Sequence, residues 1–326
     1  MTTIGLIGAG RVAAQHAAAF RAAGARIGAV HDRDPERAAH LATAHGATVH
    51  GSVAELVAAE VDLVLVLSHA DDHVAHALAA VGAGRHVLVE KPVSWSPEEV
   101  RRLDVAARAA GVTCVPGHNS IHLPEVRRIR DALLRGDLGA PVSLDISETY
   151  RMPDEIAQRY RGPLEEVLIH HVYTALYLLG RPDSVVALAA TPLEELPVTP
   201  QHLAVVARWD SGGVLGQLYQ SWAADDHSAT PRTHRLHVIG TGGAATFSRR
   251  DVVGPLEPGG NPTTPYYQEL FDNQARHLLG QLRTGDAPLS SMQDAADAAA
   301  VIAAVRKSLD TGRAVAPAYP PGDQDL

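Results

Sequence analysis

The chain has 326 residues, 46% of them hydrophobic and 20% charged, and its 28 basic side chains against 37 acidic ones give a net charge of −9. That length exceeds the usual span of one hydrophobic core, so two domains are expected, and the composition excludes wholesale disorder. The acidic balance argues against nucleic acid or an anionic membrane as partner, and the single cysteine, Cys114, excludes a disulfide framework and a thiolate zinc site.

The first 116 residues alternate short apolar runs with Ala-rich helical stretches. The strands expected are Thr3–Gly8, Arg26–His31, Thr48–Val49, Leu63–Leu67, His86–Val89 and Thr113–Val115. Between them the helical segments fall near Val12–Ala23, Pro35–Ala44, Ser52–Ala58, Asp72–Gly82 and Pro97–Ala110. Asp34-Pro35 and Ser96-Pro97-Glu98-Glu99 read as helix starts, each a capping side chain followed by a proline in the first turn. Strand and helix in strict alternation imply a parallel, doubly wound sheet that binds ligands at the carboxyl ends of its strands.

After Pro116 the pattern changes. A helix at Glu125–Arg135 stops at Gly136, and strands are expected at Val142–Tyr150, Val185–Ala190, Leu203–Trp209, Val214–Trp222, Arg235–Ile239 and Ala244–Phe247. The turns Asp210-Ser211-Gly212-Gly213 and Gly240-Thr241-Gly242-Gly243 join successive strands, which indicates antiparallel pairing. Helices at Leu164–Leu179, Tyr266–Leu282 and Gln293–Ser308 complete the half, and Gly254–Pro265 reads as a loop. The fold expected is an α/β nucleotide-binding domain over residues 1–118, followed by an α+β domain over 119–326 with a large, mostly antiparallel sheet. The N-terminus enters structure at once and no apolar run is long enough to span a bilayer, so a cytoplasmic protein is expected.

Two features carry chemistry. The run Ile4-Gly5-Leu6-Ile7-Gly8-Ala9-Gly10-Arg11-Val12-Ala13 is a strand, a G-x-G-x-x-A turn and a helix start. Gly8 permits the tight turn, Gly10 lets the backbone approach a pyrophosphate, and the amides of the Arg11-Val12 turn face the phosphates. Asp32 closes the second strand, where its carboxylate can bind the adenosine ribose hydroxyls, so NAD is expected. Arg33 and Arg37 stand beside it and leave NADP open. The second feature is a lysine. Only two of the 28 basic residues are lysines, Lys91 and Lys307, and His86-Val87-Leu88-Val89-Glu90-Lys91-Pro92 puts one of them at the carboxyl end of the fifth strand. A lysine there offers a compact ammonium that an arginine cannot imitate.

That Glu-Lys-Pro resembles the motif of the glucose–fructose oxidoreductase, inositol dehydrogenase and rhizopine-catabolism (Gfo/Idh/MocA) family. The likeness extends through GAGRVAAQHAAAF with His16, VHDRDPERA, SHADDHVAHALAAVGAGRHVLVEKP, GHNSIHLPEVRRIRDALLRGDLGAPVSL and APLSSMQDAADAAAVIAAVRKSLDTGRAV, nearly the whole chain. It implies a Rossmann domain whose cofactor surface also includes Leu67, Ser68, His69, His73, Glu90 and Asn119. It further implies a catalytic helix over Gly162–Gly180, where His170 falls on the family's catalytic histidine, Glu166 on its first Asp, and Tyr173 replaces its second Asp. Spacings of four and then three would place 166, 170 and 173 on one helix face.

The activity implied is hydride transfer between nicotinamide C4 and a carbinol or carbonyl carbon of a sugar, cyclitol, amino sugar or related compound. His170 would move the hydroxyl proton, Lys91 would stabilise charge on the reacting oxygen, and Glu166 would orient His170, unless it is an ordinary helix carboxylate. Asn119, Thr149, Tyr150, Arg151 and Tyr173 are the further substrate candidates. Ser68-His69 where the family often has Thr-Pro, Ile121 in place of an Arg, and Tyr173 all imply an altered pocket. Two alternatives remain: a relative that uses bound NAD for a net non-redox reaction, and a nucleotide-binding protein without chemistry.

Eighteen histidines raise the question of a metal. His69, His73 and His76 have no carboxylate among them, and adjacent His170 and His171 point to different sides of a helix, so no metal site is expected. The loop Asp225-Asp226-His227 reads either as a cap on the active site or as a solvated hairpin. One face of the second sheet needs covering, and the resemblance implies that it joins subunits into a homodimer or homotetramer.

Overall fold

A computed structural model describes residues 1–152, 154–158, 162–192, 200–223, 232–248 and 264–321; the Asp225-Asp226-His227 loop and most of the 254–265 segment lie outside the described residues. Its contacts divide the chain into two compact units, one built mainly from Met1–His122 and Gln268–Ala296, the other from Leu123–Tyr267 and Asp297–Tyr319.

The first unit alternates strand and helix as β1 (Thr3–Ile7), α1 (Arg11–Ala22), β2 (Arg26–His31), α2 (Pro35–His45), β3 (Thr48–Val49), α3 (Val53–Ala58), β4 (Leu63–Val66), α4 (His73–Gly82), β5 (His86–Val89), α5 (Pro97–Ala109) and β6 (Cys114–Pro116). The six strands form one sheet in the order β3-β2-β1-β4-β5-β6, every pair parallel. Strands buried on both faces must be apolar throughout, and β4 (Leu-Val-Leu-Val) is buried at all four positions. The order reverses between β1 and β4, and at such a switch point the connections leave in opposite directions and open a crevice at the carboxyl ends. Both helix starts read from sequence are present. The Asp34 carboxylate accepts from the amides of Glu36 and Arg37, and the Ser96 hydroxyl from that of Glu99.

The second unit contains α6 (Pro124–Arg135), β7 (Pro141–Tyr150), the short α7 (Asp154–Ala157), α8 (Ile169–Leu179), β8 (Ser184–Ala190), β9 (His202–Trp209), β10 (Val214–Ser221), β11 (Arg232–Gly240) and β12 (Ala244–Ser248). Its sheet runs β12-β11-β7-β10-β9-β8. The two glycine turns make the β9–β10 and β11–β12 hairpins as expected. The sheet is nevertheless mixed, because β10 lies beside β7 and parallel to it. A parallel pair needs a long crossover, which here passes through α8, β8 and β9.

The last two helices, α9 (Thr264–Thr284) and α10 (Met292–Thr311), divide between the units. Phe271 on α9 meets the His16 ring edge-on at 4.7 Å, and Met292, Ala295 and Ala296 enter the first unit's core. Further along α10, Asp297 takes both arms of the Arg181 guanidinium at 2.6 and 3.0 Å, and the Ser308 hydroxyl accepts the amide of Ala187. A single linear division at 118/119 does not contain this return of residues 268–296 to the first unit. Among the described residues, no helix is long and apolar enough to cross a membrane.

Leu65, on the central strand β4 with no exposed surface, should cost about 2–5 kcal/mol when replaced by Ala, through lost burial and the cavity left behind. Leu134, 72% exposed on α6, should change stability by no more than about 0.5 kcal/mol on the same replacement. Urea unfolding of the two variants checks the contrast.

Candidate active site

The glycine turn is assembled as its spacing predicts. Gly8 has φ +104, and a Cβ there would lie 2.5 Å from the Leu67 carbonyl oxygen and 2.7 Å from the Ser68 nitrogen, so no other residue fits. Gly10 is different: a Cβ on it would meet nothing within 4 Å. Its lack of a side chain therefore serves no internal packing and leaves room for a ligand's close approach. Gly10 also caps α1 without any side-chain hydrogen bond, so the first-turn amides, near exposed Arg11 and half-buried Val12, have no capping side chain and can meet phosphate.

Asp32 lies just beyond β2. Its Oδ2 accepts from the Ala9 amide at 2.6 Å and its Oδ1 from the Asp34 amide at 2.8 Å. The carboxylate is thereby locked against the glycine turn, and each oxygen keeps a second lone pair for a ribose hydroxyl. Arg33 and Arg37 are exposed next to it, and Arg37 pairs with Asp34 at 3.1 Å.

One ring lies between the loops after β4 and β5. His73 Nδ1 lies 2.8 Å from the Pro92 carbonyl and Nε2 3.0 Å from the Ser68 carbonyl. Burial pushes its proton affinity below the ordinary histidine value, although both carbonyls pull the other way. His73 is thus 2% exposed and holds the backbone around Leu67 and Ser68, while His69 is exposed beside Asp71. Ser68 Oγ pairs with His76 Nδ1 at 2.9 Å.

Glu90 proves to be a support. It is 7% exposed, its Oε1 accepts from His16 Nε2 at 2.8 Å, and its Oε2 accepts the amide of Lys91 at 2.9 Å. Burial alone would raise this carboxyl, but the His16 hydrogen bond and charge, the Lys91 charge and the Lys91 amide outweigh it and hold the group below the usual range. Both oxygens are engaged inside the protein, so Glu90 places Lys91. Lys91 itself is half-buried, its peptide to Pro92 is cis, and it follows β5 at the carboxyl edge of the sheet. Behind it His118, 2% exposed, is pushed down to about 3 by burial. Asn119, 5% exposed on a short 3-10 turn, has a side-chain oxygen with no hydrogen-bond partner among the described residues. A buried acceptor of this kind is costly until a ligand's N–H or O–H fills it. Together with the open space at Gly10, it makes the first unit fit a dinucleotide.

In the second unit the predicted helix is not a single α-helix. Leu164–Leu168 winds as a π-helical turn and α-helix begins only at Ile169. Glu166 lies in the wider turn, so the expectation of 166, 170 and 173 on one regular face is corrected; only 170 and 173 share α8. Glu166 and His170 are half-buried, whereas Tyr173, at 2% exposed, is among the largest fully buried side chains. The three candidates at the end of β7 also separate. Tyr150 faces the buried side with Trp222 and Val167, Thr149 faces the opposite side by strand alternation, and Arg151 reaches Asp154 at 2.7 Å and the Met152 carbonyl. Sequence reading missed Glu148 and His234, which pair across β7 and β11 on the buried face. The signal available was a carboxylate at an inward position of an alternating strand, in the series Leu144, Ile146, Glu148, Tyr150.

A model described as "Oxidoreductase family, NAD-binding Rossmann fold" matches residues 2–118, and one described as "GFO/IDH/MocA C-terminal domain" matches residues 126–246. The chain belongs to the GFO/IDH/MocA family of NAD-binding oxidoreductases. It is 32% identical over 191 residues to 1,5-anhydro-D-fructose reductase of Ensifer adhaerens, a match spanning 55% of this chain and only 57% of that protein. Inositol 2-dehydrogenase of Rhizobium meliloti (strain 1021) is 27% identical over 328 residues, 95% of this chain and 98% of that one. The solved structure of scyllo-inositol dehydrogenase from Lactobacillus casei, with bound NAD(H) and scyllo-inositol, shares the fold with a TM-score of 0.84. That likeness covers 97% of this chain and 99% of the other at 17% identity.

The buried groups set an acid limit. His73 and His118 bind protons less readily folded than unfolded, so the unfolded chain takes up more protons as pH falls below about 6.5. In that window His118 should remove about 1.4 kcal/mol of stability per pH unit, while His73 adds to the loss in the same direction and Glu90, also depressed, adds below its ordinary value. In urea unfolding between about pH 6 and 4.5, His118→Asn should reduce the slope by one such increment.

Proposed function

We propose that this protein is an NAD-dependent oxidoreductase that moves hydride between nicotinamide C4 and the carbinol or carbonyl carbon of a sugar, cyclitol, amino sugar or related compound. The observation that carries the reading is Lys91, one of two lysines in the chain, placed at the carboxyl end of β5 by the buried Glu90 carboxylate, which accepts its amide and is itself anchored by His16. Residues 1–118 are assigned the nucleotide, and residues 119–326 the substrate and subunit contacts.

When bound, the nicotinamide supplies or accepts the hydride. Asp32 receives the adenosine ribose hydroxyls, while Gly8, Gly10, Arg11 and Val12 form the pyrophosphate turn. Leu67, Ser68, His69, His73, Glu90 and Asn119 shape the remainder of the cofactor surface, His73 and Glu90 by holding the backbone. NAD is favoured over NADP because the Asp32 carboxylate repels a 2′-phosphate and the Arg37 guanidinium is already paired with Asp34. Lys91 donates a hydrogen bond to the reacting oxygen and stabilises the negative charge that develops there. His170 accepts the hydroxyl proton during oxidation and returns it during reduction, which suits an imidazole near neutral pH. Glu166, at the π-helical turn, orients His170. Tyr150, Arg151 and Tyr173 shape the substrate region, to which Thr149, on the other sheet face, contributes least.

An oligomer fits the second sheet's outer face. Leu188, Val206, Leu215 and Ile239 project from β8, β9, β10 and β11 with 70, 44, 52 and 40% of their surface exposed, all at positions alternate to the buried set. Outward apolar side chains on four strands of one sheet face suit a cover, and a second copy of the same face supplies it by two-fold symmetry. Light scattering at micromolar concentration should give a dimer or tetramer, and Leu188→Asp with Leu215→Asp should shift it toward monomer. The cytoplasm, with its supply of NAD, is the compartment assigned, and the net charge of −9 disfavours nucleic acid or membrane as partner.

Titration with NADH and NADPH, followed by a screen of sugars and keto-sugars at the nicotinamide absorbance band, tests the activity. Lys91→Arg keeps the charge but replaces a compact donor with a broad fork. It should bind NADH normally while turnover falls about 10²–10³-fold. Normal turnover in that variant, or failure of the wild type to bind either nucleotide, would sink the reading.

A further inference from the structure

Three titratable side chains converge inside the second unit and have no part in the proposed reaction. Glu148 on β7 and His234 on β11 are direct cross-strand partners on the buried face of the sheet, and His171 comes to them from α8. Glu148 Oε2 lies 3.5 Å from His171 Nε2 and 3.7 Å from His234 Nδ1. The ligand-type atoms of all three fall within 4.8 Å of one another. The side chains of His171, Glu148 and His234 are 1, 5 and 11% exposed, and the Phe247 ring stands 6.1 Å from that of His234.

Direct contact among the three does not account for this arrangement. A charge-assisted hydrogen bond between imidazolium and carboxylate closes to about 2.7–2.9 Å, well inside both spacings. His171, almost wholly buried, has neither ring nitrogen in a hydrogen bond among the described residues. Burying an imidazole with both nitrogens unbonded is costly, and among the described residues the Glu148 carboxylate at 3.5 Å is too long to compensate for it as a hydrogen bond. The spacings do suit a common central atom. A tetrahedral ion with bonds of about 2.0–2.1 Å holds its ligands about 3.3–3.5 Å apart. Two of the three pairs are within a few tenths of an ångström of that, and small side-chain rotations close the rest.

We propose that Glu148, His171 and His234 form a site for one divalent ion of the zinc class, which pins α8 to strands β7 and β11. Two imidazoles and one carboxylate favour Zn²⁺ over the hard ions Ca²⁺ and Mg²⁺, which prefer all-oxygen shells. Three protein ligands leave a fourth position for water. The inference runs against the expectation that the chain has no metal site. That expectation rested on spacing along single helices, whereas this cluster draws one ligand from each of three elements. The ion would sit beside the residue that follows His170 in the chain, so it would steady the helix that carries His170 without touching the reacting atoms. The site lies wholly within the second unit and stands whether or not the proposed hydride transfer is correct.

The test uses full-length protein freed of metal by chelation. Titration with Zn²⁺ against a chromophoric competitor should show one tight equivalent, with a rise in melting temperature, and Co²⁺ should give the intense visible bands of a four-coordinate site. His171→Gln and Glu148→Gln, near-isosteric replacements, should weaken that equivalent about 100-fold or more. His40→Gln, an exposed histidine elsewhere, should leave it unchanged. If the site variants fail to fold, anomalous scattering from zinc-loaded wild-type crystals decides, with a peak among the three side chains supporting the site. Absence of a tight equivalent, a peak elsewhere, or unaltered binding in folded site variants would overturn the proposal.

Discussion

A buried carboxylate organises the nucleotide-binding unit. Glu90 stands at the tip of β5 with one oxygen on His16 of α1 and the other on the amide of Lys91. A charge in that position is tolerable only because its partners compensate for lost water, and their combined effect holds the group ionised against the opposing effect of burial. The geometric consequence is larger than the energetic one. The same side chain fixes the helix that follows the glycine turn and the peptide that presents the lysine. His73 stands one strand over between the loops after β4 and β5, with a ring nitrogen facing a carbonyl of each and one N–H to donate. The surface assigned to the cofactor is thus built from backbone held in place by buried histidines and one glutamate.

The second unit solves a different problem. Its sheet buries one face under helices and leaves the other carrying Leu188, Val206, Leu215 and Ile239. Alternation along each strand decides which residues face the buried side and which the outer side, and so Glu148 and Tyr150 part from Thr149. The π-helical turn before α8 acts in the same local way, widening one turn so that Glu166 lies outside the regular helix that carries His170 and Tyr173.

The residues that were legible in the chain were those whose reasons are local. The glycine turn announced itself because Gly8 must adopt a positive φ and Gly10 must leave room, conditions that a few adjacent residues can state. The caps at Asp34 and Ser96 were readable for the same reason, and Lys91 stood out by its rarity and its place after an apolar strand. His16 was noticed only as part of a family pattern, since its partner Glu90 is far along the chain. The pairing of β7 with β10 and the return of residues 268–296 to the first unit likewise depend on contacts between distant segments.

By itself, then, the sequence determined the alternation of strand and helix, the glycine turn, the carboxylate after the second strand and the lysine at the strand end, because backbone sterics and hydrophobic periodicity act over a few residues. Only the tertiary structure decided that Glu90 supports instead of lining, that Thr149 and Tyr150 face apart, and that Glu148, His171 and His234 converge. Those outcomes follow from sheet order and register, which long-range packing selects.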